Sequence, residues 1–472
     1  MSSVRVLDQK HVWHPFTQQS EWEASDPLVI RSAKGVWLKD DRGRRYLDGV
    51  SSLWVTVHGH REPALDRALK RQLGRMAHTT FLGLTHEPGA LLAADLARIT
   101  PKGLRRVFYS DNGSTAVEVA LKMAFQFWAH KGERRPEFLA LSQSYHGDTL
   151  GVVSIGGIRL FHRAFKPLLF TARFAPAPSC YRCPFRRKEM TGTLRGIEEH
   201  CPRPAPGDRR AQTACRWEFL GGAEKILKAR RGRLAAAVVE PVVQGAAGML
   251  VQPPGYLKGL ELLCRRYGVP LIADEVLTGF GRTGTLFAVQ RENVIPDFLC
   301  LSKSITGGYL PLAVTMTTEK IYKAFLGRYE DFKTFFHGHT YTANPLACAV
   351  ARENLKLYRE RRLVEALRPK IARLTEFLSG LRDRVHVGDV RQAGFLAGLE
   401  LVADKRTGRP FPVTARVGHR VCLAARARGV WIRPLGDVIV LVPPLGISGK
   451  DLERLLDAVE SSIIEVTEGE PA

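Results

Sequence analysis

The sequence of 472 residues is long enough for about two domains, and its 45% hydrophobic and 25% charged residues are typical of a globular protein. Its formal charge is +23, yet the basic residues are spread along the chain and no nucleic-acid-binding motif accompanies them. The sequence starts without an apolar signal segment and holds no apolar run of membrane-spanning length, so we expect a cytoplasmic protein, with nucleic-acid binding as an alternative.

Between residues 100 and 320, short apolar runs alternate with helical patterns, which is typical of an α/β domain with a largely parallel sheet. The first strand is predicted at 106–110, and residues 111–114 then supply the caps of a helix. One face of that helix carries the apolar side chains of Val117, Ala120, Leu121, Ala124 and Trp128. Further strands are predicted at 138–142, 234–239, 269–273 and 298–302.

At about residue 345 the pattern changes to a long helix followed by short strands, which predicts a smaller α+β domain. We therefore expect the chain to have three parts. An N-terminal segment, 1–60, joins the small domain. The large domain is 61–344, with a cysteine-containing insertion at about 176–218, and the small C-terminal domain is 345–472.

Three of the predicted strands end at an ionisable residue, namely Glu240, Asp274 and Lys303. In open parallel sheets, ligands bind beyond the carboxyl ends of the strands, so these residues mark a candidate site. Lys303 is the most unusual of them. The stretch LSKSITGG places a lysine, ordinarily a solvated surface residue, where a buried strand opens into a tight loop.

These residues match the requirements of pyridoxal phosphate, which binds a lysine through its aldehyde and needs a carboxylate at its pyridine nitrogen. Lys303 and Asp274 supply those two groups. Gly113 and Ser114 lie where a strand turns into a helix, so backbone N–H groups can receive the phosphate. Tyr145 follows another strand and can stack on the ring. Each residue alone has an ordinary explanation as a cap, a loop or a surface charge, but their order and spacing together favour the cofactor.

Other patterns indicate different functions. Gly279, Gly281 and Gly284 match the G-x-G-x-x-G fingerprint of a nicotinamide-dinucleotide oxidoreductase, although several residues separate them from the strand and no helix start is obvious after them. The His-Gly-His triplets at 58–60 and 337–339 could bind a metal, but turn residues near a ligand explain them more simply. The insertion has cysteines that suit either a structural zinc site or reduced surface thiols: Cys180, Cys183, Cys201 and Cys215.

Two adjoining motifs carry a resemblance to a known family. LIADEVLTGFGRTG (271–284), followed by PDFLCLSKSITGG (296–308), resembles the signature of class III (subgroup II) aminotransferases, pyridoxal-phosphate enzymes of fold type I. That resemblance implies a large domain with a mostly parallel sheet and a smaller α+β domain. More segments resemble the members of the family that act in biotin synthesis: 11–18, 48–60, 110–124, 144–151, 240–249, 335–349 and 431–444.

The resemblance also implies roles for the cofactor-binding residues. Lys303 would bond to the aldehyde and move the proton at the substrate carbon, while Asp274 would pair with the pyridine nitrogen. Gly113 and Ser114 would hold the phosphate, joined by His339 and Thr340, with Thr340 coming from the partner subunit. The enzyme should therefore be a homodimer with active sites at the interface.

A second group would bind the substrate. Tyr145 would stack on the ring and border the substrate pocket, and Asp148 would support the site through hydrogen bonds. Arg433 would meet the carboxylate of the acceptor, since an arginine fork suits a carboxylate. The full set implied for substrate binding is Phe16, Leu53, Trp54, Tyr145, Lys303, Gly338 and Arg433.

The implied reaction passes an amino group to 8-amino-7-oxononanoate and gives 7,8-diaminononanoate. The sequence departs from the family at three positions that bear on the donor. Phe16 stands where many members have Tyr, Leu53 where many have Trp, and His339 where Pro is common. The usual donor is S-adenosylmethionine, but this pattern is similar to a branch that uses lysine. An ω-aminotransferase acting on another terminal amine and keto acceptor is the alternative within the family.

Overall fold

The computed structural model describes residues 3–181, 183 and 217–469. Within these ranges, no helix combines the length and the apolar composition that crossing a membrane requires. The described part is built on a seven-stranded sheet, with two four-stranded sheets and a short two-stranded ribbon beside it.

The central sheet has the strand order β4-β12-β11-β10-β7-β5-β6. Its strands from β11 to β6 are parallel, whereas β12 is antiparallel to both of its neighbours. Strands β5, β7, β10 and β11 are buried along their whole length, as expected of a parallel sheet covered on both faces. The seven strands are β4 Leu104–Ser110, β5 Glu137–Leu141, β6 Ala172–Ala175, β7 Leu234–Val239, β10 Leu271–Asp274, β11 Phe298–Leu301 and β12 Ala313–Thr318.

The smaller sheets use the two ends of the chain. Strand β3 of the N-terminal segment pairs in parallel with β15 near the C-terminus, so one sheet has the order β1-β2-β3-β15. The other has the order β13-β14-β17-β16. The strands are β1 Ile30–Lys34, β2 Trp37–Asp40, β3 Arg45–Asp48, β8 Val243–Gln244, β9 Leu250–Val251, β13 Val387–Ala393, β14 Leu396–Leu401, β15 Val430–Trp431, β16 Arg433–Leu435 and β17 Val438–Leu441.

The helices cover the sheets and connect their strands. Helix α6 follows β4 directly and begins with a capping box, in which the Asn112 side chain accepts a hydrogen bond from Thr115 N and the Thr115 hydroxyl accepts one from Asn112 N. The helices are α1 Val4–His11, α2 Gln19–Glu23, α3 Ser51–Trp54, α4 Pro63–Leu73, α5 Glu87–Ile99, α6 Gly113–Ala129, α7 Leu150–Ser154, α8 Arg159–His162, α9 Glu218–Ala229, α10 Tyr256–Arg266, α11 Glu319–Lys323, α12 Pro345–Glu360, α13 Leu363–Ala366, α14 Arg368–Leu381, α15 Val417–Ala427 and α16 Gly449–Thr467.

The predicted α/β class is confirmed. Strand 234–239 coincides with β7, the other four predicted strands overlap β4, β5, β10 and β11, and the apolar face predicted for the helix after β4 is buried in α6. The long helix expected at 345 is α12. The division at residues 60 and 344 stays a prediction, and Cys201 and Cys215 of the predicted insertion lie outside the described residues.

Candidate active site

A cavity of about 720 Å³ lies beyond the carboxyl ends of the parallel strands. Its lining comes from the segments that follow β4, β5, β7, β10 and β11, which is where ligands bind in open α/β sheets. The structure brings together in this one wall most of the predicted cofactor residues, Gly113, Ser114, Tyr145, Asp274 and Lys303. Of the predicted substrate residues, Trp54, Tyr145 and Lys303 line it.

Lys303 occupies a strained position in the wall of the cavity. It comes two residues after the end of β11 and has a φ of 46°, a conformation that costs energy for any residue other than glycine. Its Nζ lies 4.9 Å from the centre of the Trp54 ring. Burial lowers the pKa of Lys303 from 10.5 to about 8, although the negative charges of Asp274 and Glu240 oppose that shift. The amine is therefore partly neutral near physiological pH, as a nucleophile or general base must be.

Asp274 is paired with a buried histidine. Its Oδ2 lies 2.7 Å from Nδ1 of His146, and its Oδ1 accepts a hydrogen bond of 3.0 Å from Val276 N. Burial alone would lower the pKa of His146, but the hydrogen bond to Asp274 and the charges of Asp274 and Glu240 outweigh it, and the net shift is upward. His146 and the N–H of Val276 thus hold the Asp274 carboxylate from two sides.

One end of the cavity, which we call the phosphate end because the sequence predicts the phosphate there, is the N-terminus of α6. Gly113 and Ser114 begin this helix of 17 residues, whose first N–H groups have no partners within the helix. A methyl group on Gly113 would come within 2.5 Å of Cγ1 of Val276, so this position requires glycine. The hydroxyl of Ser114 accepts a hydrogen bond of 3.1 Å from Thr149 N, which fixes its place at the helix start.

Tyr145 forms another part of the wall. Its hydroxyl donates to Oδ2 of Asp148 at 2.8 Å, and its backbone N–H donates to Oε1 of Glu240 at 2.9 Å. Burial, followed by the hydrogen bond to Asp148, raises the pKa of Tyr145, so the phenol stays neutral. Asp148, which is expected to support the site through hydrogen bonds, thus bonds to Tyr145.

Most of the predicted substrate residues do not line this cavity. Phe16 and Leu53 are 63% and 52% exposed, and Arg433 is exposed on β16. The ring of Phe16 reaches the site only indirectly, because it contacts Phe161 at 5.4 Å between centroids and Phe161 contacts Tyr145 at 6.3 Å.

The segment 338–340 of the same chain lies beside the phosphate end without lining the cavity. His339 Nδ1 is 2.6 Å from Oδ2 of Asp111, and Asp111 does line the cavity. Gly338 and Thr340 are exposed, and the carbonyl of Thr340 is 3.0 Å from Nε2 of His78.

The G-x-G-x-x-G segment does not have the surroundings of a dinucleotide site. No α-helix begins between residues 275 and 297, all of which are described. Instead, Arg282 of this segment is fully buried and donates to the carbonyls of Pro443 and Thr56, at 2.8 and 2.9 Å. Burial lowers its pKa to about 10, so it remains charged and joins the N-terminal segment to the C-terminal part.

The histidines of the two His-Gly-His triplets contact side chains that are not metal ligands. His58 bonds to Asn354, and Nδ1 of His337 lies 2.8 Å from Nζ of Lys122. Among the described residues, no group of three or more His, Cys, Asp or Glu side chains could hold a metal ion. The possible zinc site involves Cys201 and Cys215, which lie outside the described residues, and stays a prediction.

The sequence does not predict the contact of His146 with Asp274 or the backbone hydrogen bonds that Glu240 accepts. His146 is next to Tyr145 in the motif SYHGDT, and Glu240 is predicted as part of the candidate site at the strand ends but without a role. Their contacts follow from the strand order, in which β7 lies between β5 and β10, and no pattern along the chain reveals that order.

The residues of this cavity fit pyridoxal phosphate. A lysine amine, a carboxylate bonded to a buried histidine, a helix N-terminus with a glycine that cannot carry a side chain, and an aromatic wall are the groups that this cofactor needs.

Comparisons with known proteins agree with this arrangement. The sequence model of a family described as aminotransferase class-III matches residues 19–463. The chain is 54% identical to the adenosylmethionine-8-amino-7-oxononanoate aminotransferase of Nitratidesulfovibrio vulgaris over 98% of this chain and 82% of that protein. It is 52% identical to the protein of the same name from Geobacter sulfurreducens, over 99% and 98%.

Solved structures are similar along the whole chain. The crystal structure of adenosylmethionine-8-amino-7-oxononanoate aminotransferase from Methanocaldococcus jannaschii superimposes with a TM-score of 0.89 and 38% identity, covering 98% of this chain and 99% of that one. An (S)-enantioselective omega-transaminase from Thermomicrobium roseum superimposes with a TM-score of 0.88 and 34% identity, covering 98% of each chain.

Proposed function

Since this chain belongs to the class III aminotransferases, we propose that it transfers an amino group from S-adenosylmethionine to 8-amino-7-oxononanoate, forming 7,8-diaminononanoate in biotin synthesis. The observation that carries the choice of substrates is the identity of 54% and 52%, over nearly the whole chain, to enzymes that have this reaction in their names. The cavity supports the chemistry, because it gathers the lysine, the carboxylate and the phosphate-binding helix start.

When bound, pyridoxal phosphate would supply an electron sink for the reacting carbon and a carrier for the amino group between the two substrates. The protein's own residues bind it and move the proton. Gly113 and Ser114 would hold the phosphate at the start of α6, and Asp274 would hold the pyridine nitrogen in its protonated form. His146 and the N–H of Val276 keep the Asp274 carboxylate oriented.

Lys303 moves the proton at the reacting carbon. With a pKa of about 8, the free amine of Lys303 would move a proton between the reacting substrate carbon and the cofactor near neutral pH. Trp54 lies over the amine and shields it from water. Arg433 would bind the distant carboxylate of the ketone acceptor, as the resemblance implies.

We also propose that the enzyme works as a homodimer with active sites at the interface, as class III aminotransferases are typically dimeric. Large apolar side chains are exposed around 326–341 and 82–84, among them Leu82, Phe332, Phe336 and Tyr341. Such a surface supports burial against a second copy. In this arrangement Thr340 of the partner subunit would reach the phosphate. The cytoplasmic location stays a prediction.

The test uses purified enzyme loaded with pyridoxal phosphate and one donor at a time. Loss of the visible absorbance of the bound cofactor on adding S-adenosylmethionine, and its recovery on adding 8-amino-7-oxononanoate, is the expected result. Loss with lysine and not with S-adenosylmethionine would show instead that the changes at Phe16, Leu53 and His339 accompany a donor switch.

The acceptor decides between this function and its alternative. If 8-amino-7-oxononanoate does not restore the absorbance after either donor, the biotin-pathway assignment is contradicted. That result would favour the ω-aminotransferase alternative, which the 34% identity to an omega-transaminase supports. The product is identified by mass spectrometry, so that slow loss of cofactor is not mistaken for turnover.

A further inference from the structure

Glu240 is a buried carboxylate in the cavity wall that the mechanism above does not use. It follows β7, is 6% exposed, and lines the cavity with Lys303 and Asp274. None of the ion pairs between described residues includes it. Its two oxygens each accept one backbone hydrogen bond instead, Oε1 from Tyr145 N and Oε2 from Gly245 N, both at 2.9 Å.

The two N–H groups belong to separate parts of the wall. Tyr145 lies on the segment after β5 and carries the aromatic ring expected to stack on the cofactor. Gly245 lies on the turn after β8, packed against the other side chains of the wall. A methyl group on Gly245 would come within 2.2 Å of Leu277 and 3.5 Å of Trp54, and the Trp54 ring lies over Lys303.

We propose that Glu240 is a positioning residue, which holds the Tyr145 segment and the Gly245 turn at a fixed spacing and thereby sets how the aromatic wall meets the cofactor ring. This inference rests on the proposed function, since it assumes that pyridoxal phosphate occupies the cavity. Both oxygens of a carboxylate can accept, whereas glutamine has one acceptor and one donor group. A glutamine at 240 therefore loses one of the two hydrogen bonds and turns an N–H donor towards another donor.

The chain contains a matched control. Glu275 is also fully buried, and it also accepts two backbone hydrogen bonds, from Ala288 N at 2.7 Å and Val289 N at 2.8 Å. Burial raises the pKa of both Glu240 and Glu275 to about 7. Glu240→Gln and Glu275→Gln thus each remove one backbone hydrogen bond of the same kind. Glu240 lines the cavity, whereas Glu275 does not.

The experiment measures both variants as full-length, cofactor-loaded proteins beside the wild type. The readouts are the visible circular dichroism per bound cofactor, the dissociation constant of pyridoxal phosphate, and kcat and KM for both substrates. We expect Glu240→Gln to lose at least half of the visible dichroism, to bind the cofactor about tenfold more weakly, and to lose kcat more than it changes KM. Glu275→Gln should keep the wild-type dichroism and cofactor affinity, even where its thermal unfolding midpoint falls.

Three results would overturn the inference or its premise. Wild-type dichroism and affinity in Glu240→Gln, or an equal loss in Glu275→Gln, would mean that Glu240 acts on stability alone. A wild-type protein that never binds pyridoxal phosphate would instead refute the proposed function. If Glu240→Gln does not fold, Glu240→Asp and Glu275→Asp, which keep the charge but shorten the side chain, are compared by the same readouts and the same outcomes decide.

Discussion

The two halves of the predicted site are built in different ways. The cofactor half, with Tyr145, Asp274 and Lys303, sits on segments that leave buried strands of one sheet, so its spacing is fixed by strand hydrogen bonds. We call the remaining predicted residues the rim. They lie on loops, in the N-terminal segment and in the small sheets. This rim consists of Phe16, Leu53, Gly338, His339, Thr340 and Arg433, and none of these residues lines the cavity.

The halves also differ in electrostatics. In the cofactor half, burial moves the pKa of Lys303 down to about 8 and that of Glu240 up to about 7. At the rim, Phe16, Leu53 and Arg433 are exposed. The comparison teaches that the residues predicted to do the chemistry are buried side chains whose pKa the fold shifts, whereas those predicted only to recognise the substrates are largely exposed. Each prediction below tests one side of that contrast.

The largest effect is expected from Lys303→Ala. Removing the only amine in the cavity wall should lower kcat by at least about a thousandfold, because both proton transfer and attachment of the cofactor are lost. The unfolding midpoint should stay the same or rise, since a buried amine is costly to keep charged. Turnover assays and thermal unfolding measure the two effects.

Lys370→Ala is the matched control for that variant. Burial lowers the pKa of Lys370 as well, and its amine donates to the carbonyl of Leu445 at 2.9 Å, but it lies outside the cavity. This variant should keep wild-type kcat. Multiple turnovers by Lys303→Ala, or a comparable loss in Lys370→Ala, would place the catalytic amine elsewhere.

The second effect concerns the protonation of Lys303. A lysine whose pKa is lowered from 10.5 to about 8 is neutral above that value, so near pH 7.5 its free-amine fraction is on the order of 100-fold larger than that of an ordinary lysine. Competitive acetylation of cofactor-free protein, read by peptide mass across pH, should give an inflection near pH 8 at Lys303.

Asp274→Asn tests the direction in which the charge of Asp274 shifts the pKa of Lys303. The Asp274 carboxylate raises the pKa of Lys303 by its charge, so its removal should move the inflection to lower pH. An inflection near pH 10.5 in the wild type would show that the amine is solvated, and would remove the contrast between the cavity wall and the rim.

The sequence predicted the cofactor half better than the rim, for a physical reason. Buried parallel strands are continuous apolar runs, so the sequence predicts β7 residue for residue. The predicted ends of β10 and β11 also put Asp274 and Lys303 at the edge of the sheet where both line the cavity. The order of the strands across the sheet cannot be predicted in this way, because it depends on packing between segments that are far apart in the sequence. The contacts of Asp274 with His146, 128 residues away, and of Glu240 with Tyr145, 95 residues away, follow only from that order.

The rim could be predicted only as a list of residues. Phe16 and Leu53 have no period or strand end that fixes their position relative to the cavity. The short helix α3 is kinked around Leu53, with φ of 61° at Ser52 and 66° at Trp54. Trp54 alone of this stretch lines the cavity. The direction of each side chain in such a turn depends on local strain that residue patterns do not express.

A smaller effect is expected from Arg433→Ala. Loss of a charge-assisted hydrogen bond to the acceptor carboxylate is worth about 1.5–3 kcal/mol, which corresponds to a rise of roughly 10- to 150-fold in KM for 8-amino-7-oxononanoate. The donor half-reaction should be unchanged, as stopped-flow absorbance with S-adenosylmethionine alone would show. Arg420→Ala, another exposed arginine, on α15, should affect neither. An equal loss in both half-reactions would contradict the role of Arg433 in acceptor binding.

The smallest effect is expected from Phe16→Tyr, which restores the hydroxyl that many family members carry. Phe16 is 63% exposed and reaches Tyr145 only through Phe161, so a new hydroxyl can gain at most one ordinary hydrogen bond. Such a bond is worth about 1 kcal/mol, and KM for either substrate should change by less than about fivefold. Steady-state kinetics with both donors, beside Phe16→Leu as a control for the ring itself, measures this. A change of 50-fold, or a switch of donor, would mean that the N-terminal segment closes onto the substrate during turnover, and the rim would then be as much a fixed part of the site as the strand ends are.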